Sequence, residues 1–201
     1  MIHLRLADFL SALLYRMLGR VFGMFGAYGR GARIVRPRHI FGARNIYLGP
    51  DASILGGAYL IARGGTDQPP RLELAEGAAV GHLAHIVCLR RVSIGAHALL
   101  ADRVFITDNG HSYADAGRPI VQQPLQYLGD AEIGPGSWVG EGASIIAARV
   151  GRNCVIAAGA VVTRDIPDYS VAVGAPARVV RRYCPERQAW LRTGSDGNFT
   201  E

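Results

Sequence analysis

Aliphatic residues recur at every sixth position from Leu48 onward, and most are followed by a glycine, an alanine or another small residue. The series opens with LGPDAS and ILGGAY and, after the polar insertion RGGTDQPPR, continues with LAEGAA, VGHLAH and IVCLRR. After a slip of two residues come IGAHAL, LADRVF and ITDNGH, and later IGPGSW, VGEGAS, the shorter IIAAR, VGRNCV, IAAGAV and VTRDIP. This period fits neither an amphipathic helix nor a hairpin sheet. Hexapeptide repeats are a signature of parallel β-helices, so we predict an all-β, three-sided prism with the aliphatic residues inside.

The N-terminal segment has a different, helical pattern. Its apolar residues follow i, i+3, i+4, i+7 spacing, which predicts an amphipathic α-helix. We favour packing of this helix on its own protein or across an oligomer; the alternative is a basic amphipathic helix on an anionic membrane surface. Asp8 and the polar face argue against a membrane span, and no small-residue cleavage site supports a secretory signal. The apolar residues are Leu6, Phe9, Leu10, Leu13, Leu14, Met17, Leu18, Val21, Phe22 and Phe25.

These patterns divide the chain into three parts. Residues 1–45 are expected to form the amphipathic helix and a lead-in, and residues 46–182 the β-helix. Within it, residues 107–131 are expected to form a protruding loop. Residues 183–201 are predicted to be a short helical turn followed by a polar tail.

The chain carries a net charge of +6, and all 22 of its basic residues are arginines. Solvated faces are the favoured interpretation for most of these, and a polyanionic ligand is the alternative, because the planar guanidinium suits phosphate groups. Nucleic acid is not, because the arginines form no dense run with interleaved aromatic residues. The cysteines Cys88, Cys154 and Cys184 are too few and too widely spaced for a disulfide framework or a zinc site, and they indicate buried thiols in a reducing, cytoplasmic compartment.

One polar stretch, ITDNGHSYADAGRPI at residues 106–120, interrupts the repeat. The aliphatic segments on both sides are scaffold, so we expect the interruption to carry the chemistry. Its histidine, His111, has an unperturbed pKa near neutral pH and suits a general base. Asp108 could orient that imidazole or close an Asx turn, and these two interpretations are equally weighted.

The segment IGPGSWVGEGASI…VGRNCVIAAGAVVTRDIPDYSVAVGAPARVVRR and the interrupting stretch resemble the hexapeptide-repeat acyltransferases. Within them, they are similar to the sugar O-acetyltransferases related to maltose, galactoside and xenobiotic acetyltransferases and to those that acetylate surface polysaccharides. The resemblance covers roughly residues 46–182. It implies a left-handed parallel β-helix, an exception to the right-handed crossover rule. It also implies a homotrimer that binds acetyl-CoA in a groove between neighbouring prisms.

Residue by residue, the resemblance implies a direct transfer of acetyl to a sugar hydroxyl with His111 as the base. Acceptor contacts are assigned to Asn109, His85, Asp115 and Arg118, and contact with the sugar is a further possible role of Asp108. An Asx turn explains Asn109 equally well, and a loop salt bridge explains Asp115 and Arg118 equally well. Solvent contact is the favoured interpretation of His85. Coenzyme A contacts are assigned to Trp138, Gly140, Ala158, Gly159, Thr163, Arg164, Arg178 and Arg181. For the arginines, charge-assisted hydrogen bonds to phosphates are the physical reason. For Trp138 and the glycines, a purely architectural role at a prism corner remains open.

Three other functions compete with this assignment. A γ-type carbonic anhydrase would need a second loop histidine five positions after His111, where Ala116 stands, so no metal is expected. A non-catalytic β-helix scaffold would not need His111, Trp138, Arg178 and Arg181 together. N-acetylation of a nucleotide-linked amino sugar needs almost the same general base, and only the resemblance of the loop favours O-acetylation. Peripheral contact with the inner face of the plasma membrane stays open.

Overall fold

A computed structural model describes residues 6–64, 68–194 and 198–200. It contains a helix, α1 (Leu6–Arg20), followed by a parallel three-sided β-helix and an antiparallel C-terminal extension. Within the described residues, no helix is both long and apolar enough to cross a membrane.

The β-helix has six coils, and each coil contributes one strand to each of three faces, which we call A, B and C in chain order. The first three coils are β1 (Ala27–Tyr28), β2 (Arg33–Ile34), β3 (His39–Phe41); β4 (Ile46–Leu48), β5 (Ser53–Ile54), β6 (Tyr59–Ala62); β7 (Arg71–Leu74), β8 (Ala79–Val80) and β9 (His85–Cys88). The fourth is β10 (Arg91–Ile94), β11 (Leu99–Leu100) and β12 (Phe105–Thr107), which is followed by the hairpin β13 (Asn109–His111) and β14 (Leu125–Tyr127). The last two are β15 (Ala131–Ile133), β16 (Trp138–Val139), β17 (Ser144–Ile146); β18 (Arg149–Val150), β19 (Val155–Ile156) and β20 (Val161–Val162).

The aliphatic residue of each repeat fills the interior of the prism. In-register parallel pairing stacks equivalent residues of successive coils, and on face B this aligns Ile34, Ile54, Val80, Leu100, Val139 and Ile156. All six are almost completely buried. Because strand spacing is about 4.8 Å, neighbouring members of this column are in van der Waals contact range. The sixfold repeat is thus explained by one continuous apolar core.

The small residues that follow the aliphatic positions lie at the corners of the prism, and Gly134 is at a corner where face A turns into face B. A Cβ added to Gly134 would come within 2.4 Å of the main chain of Gly151 in the next coil. No side chain fits such an approach, so the corner requires glycine. The shortened repeat IIAAR leaves only Ala147 and Ala148 between β17 and β18, and Ala147 makes this tight turn with a φ of +46°.

Helix α1 packs on the first coil through its small and polar side. Asp8 forms an ion pair with Arg36 (Oδ1 to Nε, 2.5 Å), and the Arg36 main-chain N–H donates to Ser11 Oγ at 2.8 Å. Further along the same side, Tyr15 meets the ring of Phe25 edge-on. The helix thus packs on its own protein, which is one of the two arrangements that the sequence favours, but not through its apolar side. That side is exposed in the protomer: Leu6, Phe9, Leu10, Leu13, Leu14 and Met17.

Two expected boundaries also differ from the structure. The first coil begins at β1 rather than at residue 46, because the strands of residues 27–41 pair in register with β4, β5 and β6 despite lacking a clear sixfold repeat. The predicted helical turn after residue 183 is a hairpin instead. There β21 (Ser170–Val173), β22 (Arg178–Cys184) and β23 (Ala189–Arg192) extend face B with antiparallel pairing, and Tyr183 packs against Trp190. Of the expected polar tail, residues 195–197 and 201 lie outside the described residues.

Candidate functional site

His111 lies on a hairpin that leaves face C between β12 and β15. Its strand β13 pairs with β14, which places His111 opposite Leu125. The His111 side chain is exposed, and it makes no side-chain hydrogen bond to the described part of the chain. The imidazole is therefore available to a ligand.

Asp108 fixes the base of this hairpin to the prism. Its fully buried carboxylate accepts hydrogen bonds from the main-chain N–H groups of Leu89, Arg90 and Arg91, at 2.7, 2.6 and 2.8 Å. It also accepts one from Asn109 Nδ2 at 2.8 Å. Both oxygens are thus occupied, and among the described residues neither contacts His111. The catalytic role assigned to Asp108 is replaced by a structural one, because the carboxylate satisfies three amides at the corner between coils three and four.

Asn109 and Thr107 hold the first residues of the hairpin. The Asn109 main-chain N–H donates to Thr107 Oγ1 at 3.2 Å, and that hydroxyl donates to the Asn109 carbonyl at 3.1 Å. The Asn109 side-chain amide is engaged by Asp108, as described above. Thr107 and Asn109 border the groove that contains His111. The expected acceptor contact of Asn109 is therefore compatible with its position, although its amide already has a partner.

Asp115 and Arg118 lie at the exposed tip of the hairpin. The buried side chain of Gln123 organises this tip: its Nε2 donates to the carbonyls of Asp115 and Arg118, both at 2.9 Å. The Asp115 carboxylate accepts from the Gly117 N–H at 2.9 Å. The structure shows no salt bridge between Asp115 and Arg118 in the described chain, and neither residue lines the groove, so the structure does not bring them to His111.

A groove of about 930 Å³ runs along face C and ends at His111. Its floor is a ladder of aromatic rings, one from each of the first four coils, set in register by the parallel pairing: His39, Tyr59, His85 and Phe105. Successive ring centroids are 4.8, 4.9 and 5.5 Å apart, the first pair stacked and the other two edge-to-face. The ladder therefore extends over three strand spacings, roughly 14 Å.

His85 occupies the middle of this ladder rather than a corner. Partial burial between Tyr59 and Phe105 lowers the pKa of His85 from its ordinary value of 6.5, because the charged imidazolium loses hydration. At neutral pH the ring is accordingly uncharged and presents an apolar face. Arg63 lies at the other end of the groove, with its guanidinium 5.4 Å from the centroid of Phe41.

The residues expected to bind coenzyme A lie on face B and at its edges. Trp138 in β16 points outward between Leu99 and Val155 and is 49% exposed. Gly140 turns the chain from face B to face C, where an added Cβ would lie 2.5 Å from the Ala158 main-chain nitrogen, so its smallness serves the corner. Ala158 and Gly159 are at the next coil's equivalent corner and are exposed; Gly159 has a φ of +67° and open space around it.

The arginines near this region are exposed and uncompensated. Thr163 and Arg164 follow β20, and Arg178 and Arg181 lie in β22. None of the three arginines forms a salt bridge with a described residue. Within one protomer, the groove with His111 is on face C and Trp138 is on face B, so the structure does not bring all of the expected residues to one surface.

In the described ranges 6–64, 68–194 and 198–200, no three His, Cys, Asp or Glu side chains come together in a group that could hold a metal ion. His111 therefore has no set of neighbouring ligands there with which to hold a zinc ion.

Sequence reasoning missed most of the aromatic ladder and the role of Gln123. A signal for the ladder does exist, since His39, Tyr59, His85 and Phe105 each come directly before the inward aliphatic residue of a face C strand. Aligning the strands coil by coil would have revealed it. Gln123 carries no such signal, because its partners are main-chain carbonyls of an irregular loop.

Comparisons with known proteins agree with this fold. No protein-family model matches the chain. Over 91 residues it is 42% identical to a probable acetyltransferase of Mycobacterium tuberculosis (strain ATCC 25618 / H37Rv), a match that covers 45% of this chain and 30% of the relative. Over 123 residues it is 29% identical to WbbJ, a putative lipopolysaccharide biosynthesis O-acetyl transferase of Escherichia coli (strain K12), covering 58% of this chain and 63% of the relative. The chain thus spans less than two thirds of these curated relatives.

Among solved structures, the fold is similar to a mutant of AntD, an N-acyltransferase from Bacillus cereus in complex with dTDP and coenzyme A. The TM-score is 0.72 with 12% identity, over 88% of this chain and 93% of that chain. The likeness confirms the predicted left-handed parallel β-helix. In its repeats and its fold the chain is similar to the hexapeptide-repeat acetyltransferases, and the sequence relatives that it matches are named as acetyltransferases.

Proposed function

We propose that the protein transfers the acetyl group of acetyl-CoA to a hydroxyl group of a sugar, in the synthesis of a cell-surface polysaccharide. The observation that carries this proposal is the position of His111, exposed at the end of an aromatic-floored groove on face C. A histidine at the end of a long groove is placed to meet one functional group of a ligand that lies along the rest of it.

In the proposed reaction His111 acts as the general base. One ring nitrogen takes the proton of the sugar hydroxyl while the hydroxyl oxygen bonds to the thioester carbonyl carbon. The carbon–sulfur bond then breaks, and the departing thiolate of coenzyme A receives the proton, which gives an acetyl ester and free coenzyme A. Cys88 is not a covalent alternative, because burial and the nearby Asp108 carboxylate raise its pKa to about 12 and keep it a thiol.

The aromatic ladder supports a carbohydrate acceptor. Sugar rings present apolar C–H faces that pack on aromatic rings, and His39, Tyr59, His85 and Phe105 supply such rings in one line. A length of roughly 14 Å exceeds one pyranose ring, which favours an acceptor with more than one sugar or with a further group beyond the sugar. Arg63 at the far end suits an anionic group there.

The donor side is proposed on face B. Trp138 would cover the thiol end of coenzyme A, and the main chain at Gly140, Ala158 and Gly159 would border the pantetheine arm. The uncompensated Arg164, Arg178 and Arg181, together with Thr163, are suited to its phosphates, because a guanidinium forms bidentate, charge-assisted hydrogen bonds. Because His111 and Trp138 lie on different faces of a protomer, we propose a homotrimer in which face B of one prism meets face C of its neighbour.

A second candidate is N-acylation of a nucleotide-linked amino sugar. The similarity in fold to AntD, an N-acyltransferase, favours it, whereas the similarity in sequence to WbbJ, named as an O-acetyl transferase, favours the hydroxyl acceptor. The same base and donor site serve both reactions. For either, we propose a cytoplasmic location.

The test is a thiol-release assay with acetyl-CoA and a panel of acceptors. The panel pairs sugars with their amino-sugar counterparts, each offered free, nucleotide-linked and lipid-linked. We expect thiol release that depends on a hydroxyl acceptor and a product that hydroxylamine cleaves, as it does an ester. A product that resists hydroxylamine would identify an amide and the second candidate.

The same assay separates an enzyme from a scaffold. Calorimetric titration of the protein with acetyl-CoA should show stoichiometric binding without any acceptor. If acetyl-CoA does not bind and no acceptor gives thiol release, the protein is a scaffold rather than a transferase.

A further inference from the structure

We infer that α1 is a membrane-surface anchor which lays its exposed apolar side into the headgroup region of an anionic lipid bilayer. The inference is independent of the proposed reaction, since it rests on the first coil and the helix alone. The sequence favours packing of the helix on its own protein or across an oligomer, whereas we assign the exposed apolar side to a lipid surface.

The helix is oriented with its apolar side away from the fold. At 100° per residue, Leu10, Leu13 and Met17 project opposite to Asp8, Ser11 and Tyr15, which pack on the first coil. Six apolar residues of α1 are between 45% and 74% exposed: Leu6, Phe9, Leu10, Leu13, Leu14 and Met17. Val21 and Phe22, directly after the helix, are 72% and 66% exposed and extend the same apolar surface. We call these residues the apolar strip: Leu6, Phe9, Leu10, Leu13, Leu14, Met17, Val21 and Phe22.

This orientation is fixed by specific contacts. A Cβ at Gly19 would come within 2.4 Å of the Tyr28 ring, so the helix is close to the first coil at this point. The ion pair of Asp8 with Arg36 and the hydrogen bond to Ser11 hold its other end. Rotating the helix to bury its apolar strip would break all three contacts.

The charge around the strip fits an anionic surface. Residues 1–45 contain eight arginines and a single acidic residue, Asp8, which is paired with Arg36. Residues 46–201 contain 14 arginines against 15 acidic residues. The net positive charge of the protein is therefore concentrated at the end that carries α1. On the helix itself, the exposed Arg16 and Arg20 border the edge of the strip, where guanidinium groups can reach lipid phosphates.

A bilayer fits the strip better than a second copy does. Helix pairs bury a narrow seam, whereas the strip covers an arc of roughly 140°, from Phe9 to Leu14 at 100° per residue. If the strips of two copies met, the arginines at the edge of one strip would lie next to those of the other. At 15 residues the helix is about 22 Å long and contains charged side chains, so it lies in the plane of the interface and does not span it.

Anchoring of α1 at a bilayer would also position the groove on face C. The far end of the aromatic ladder, at His39, belongs to the first coil, on which α1 also packs. Anchoring through α1 therefore brings the end of the groove that is farther from His111 close to the bilayer.

The experiment is flotation of the full chain with vesicles of phosphatidylcholine alone or mixed with phosphatidylglycerol. We expect binding to the anionic vesicles, weakened by salt, and little binding to phosphatidylcholine. The Leu10→Glu/Leu13→Glu variant should lose about 10-fold or more of the partition coefficient, because it places charge in the apolar strip. Arg16→Gln/Arg20→Gln should keep the residual binding to phosphatidylcholine but lose most of the preference for anionic vesicles.

The matched control is Ile120→Glu/Val121→Glu, which adds the same charges to exposed apolar residues of the hairpin loop and should leave flotation unchanged. If Leu10→Glu/Leu13→Glu does not fold, as judged by circular dichroism, Leu10→Gln/Leu13→Gln replaces it. The inference is overturned if the parent fails to float with anionic vesicles. It is also overturned if the strip variants alter the oligomeric state in sedimentation and leave flotation unchanged, since a second copy would then cover the strip.

Discussion

Faces A and C of the prism share the same interior but differ in their outward side chains. On face A, Glu132 lies between two guanidinium groups, with its oxygens 3.7 Å from Arg91 Nε and 3.6 Å from Arg149 Nε. A groove of about 900 Å³ along this face is lined by such paired charges. On face C the equivalent positions carry the aromatic ladder, and His111 stands at its end without a partner in the described chain.

The difference shows which positions the fold dictates. Inward residues are aliphatic on both faces because the core must be filled, whereas outward residues are free to vary. Exposed ion pairs contribute little stability, but on face A they pair the charged groups with other side chains of the same face. Face C exposes aromatic surface and His111, which has no partner among the described residues. A ligand or a neighbouring protomer can pack on the aromatic surface and form a hydrogen bond with the histidine. The comparison can be tested by changing one face at a time.

The largest effect is expected at His111. His111→Ala should lower kcat for acceptor-dependent thiol release by about 10²–10⁴-fold and leave the Kd of acetyl-CoA unchanged, because the base acts only on the acceptor. Steady-state kinetics and calorimetry measure the two quantities. The matched control is His97→Asn, which changes another exposed histidine and keeps a residue type that tolerates its positive φ. A kcat for His111→Ala close to that of the parent would show that the base lies elsewhere.

The second effect concerns the anchor of the hairpin on face C. Asp108→Ala should lower the free energy of unfolding by about 3–5 kcal/mol, because three main-chain N–H groups lose their charged acceptor. Urea denaturation measures this loss. Asp115→Ala removes the acceptor of one amide at the exposed loop tip and should cost less than about 1 kcal/mol. Equal losses in the two variants would refute the anchoring role.

The sequence predicted the core and the position of the hairpin because both follow from repetition. A sixfold aliphatic period specifies the prism, and the break at residues 106–120 specifies where it is interrupted. The role of Asp108 could not be predicted in this way, since its partners are main-chain amides some 18 residues earlier that only the coil geometry brings close. The orientation of α1 was also beyond the pattern, because an apolar stripe predicts burial without specifying what covers it.

The third prediction compares two tyrosines of the second coil. Tyr59 is in the ladder on face C, and Tyr47 is on face A with the Arg71 guanidinium 3.9 Å from its ring centroid. Tyr59→Ala should lower kcat/KM for the acceptor about 10-fold, mainly through KM, because stacking surface for the sugar is lost. Tyr47→Ala should leave acceptor kinetics unchanged. An equal effect of both substitutions would mean that face C has no special relation to the acceptor.

The smallest effect is the pH dependence that His85 adds to stability. Burial lowers its pKa in the folded state, so the unfolded chain binds the proton first as the pH falls below the ordinary value of 6.5. Stability contributed by the neutral ring is therefore present above that pH and is lost below it. His85→Phe keeps an aromatic ring without a titrating group, and its stability should decrease less between pH 8 and pH 5 than that of the parent. Thermal melts across this range measure the difference, and an unchanged pH dependence would contradict it.

The most direct test of the account is a crystal structure with a non-hydrolysable thioether analogue of acetyl-CoA and an acceptor identified by the thiol-release assay. We predict that the acceptor lies along the ladder on face C. Its reacting oxygen or nitrogen should be about 2.6–3.2 Å from a ring nitrogen of His111, or one water molecule away. An acceptor bound in the groove on face A, or on face C with its reacting atom far from His111, would contradict it.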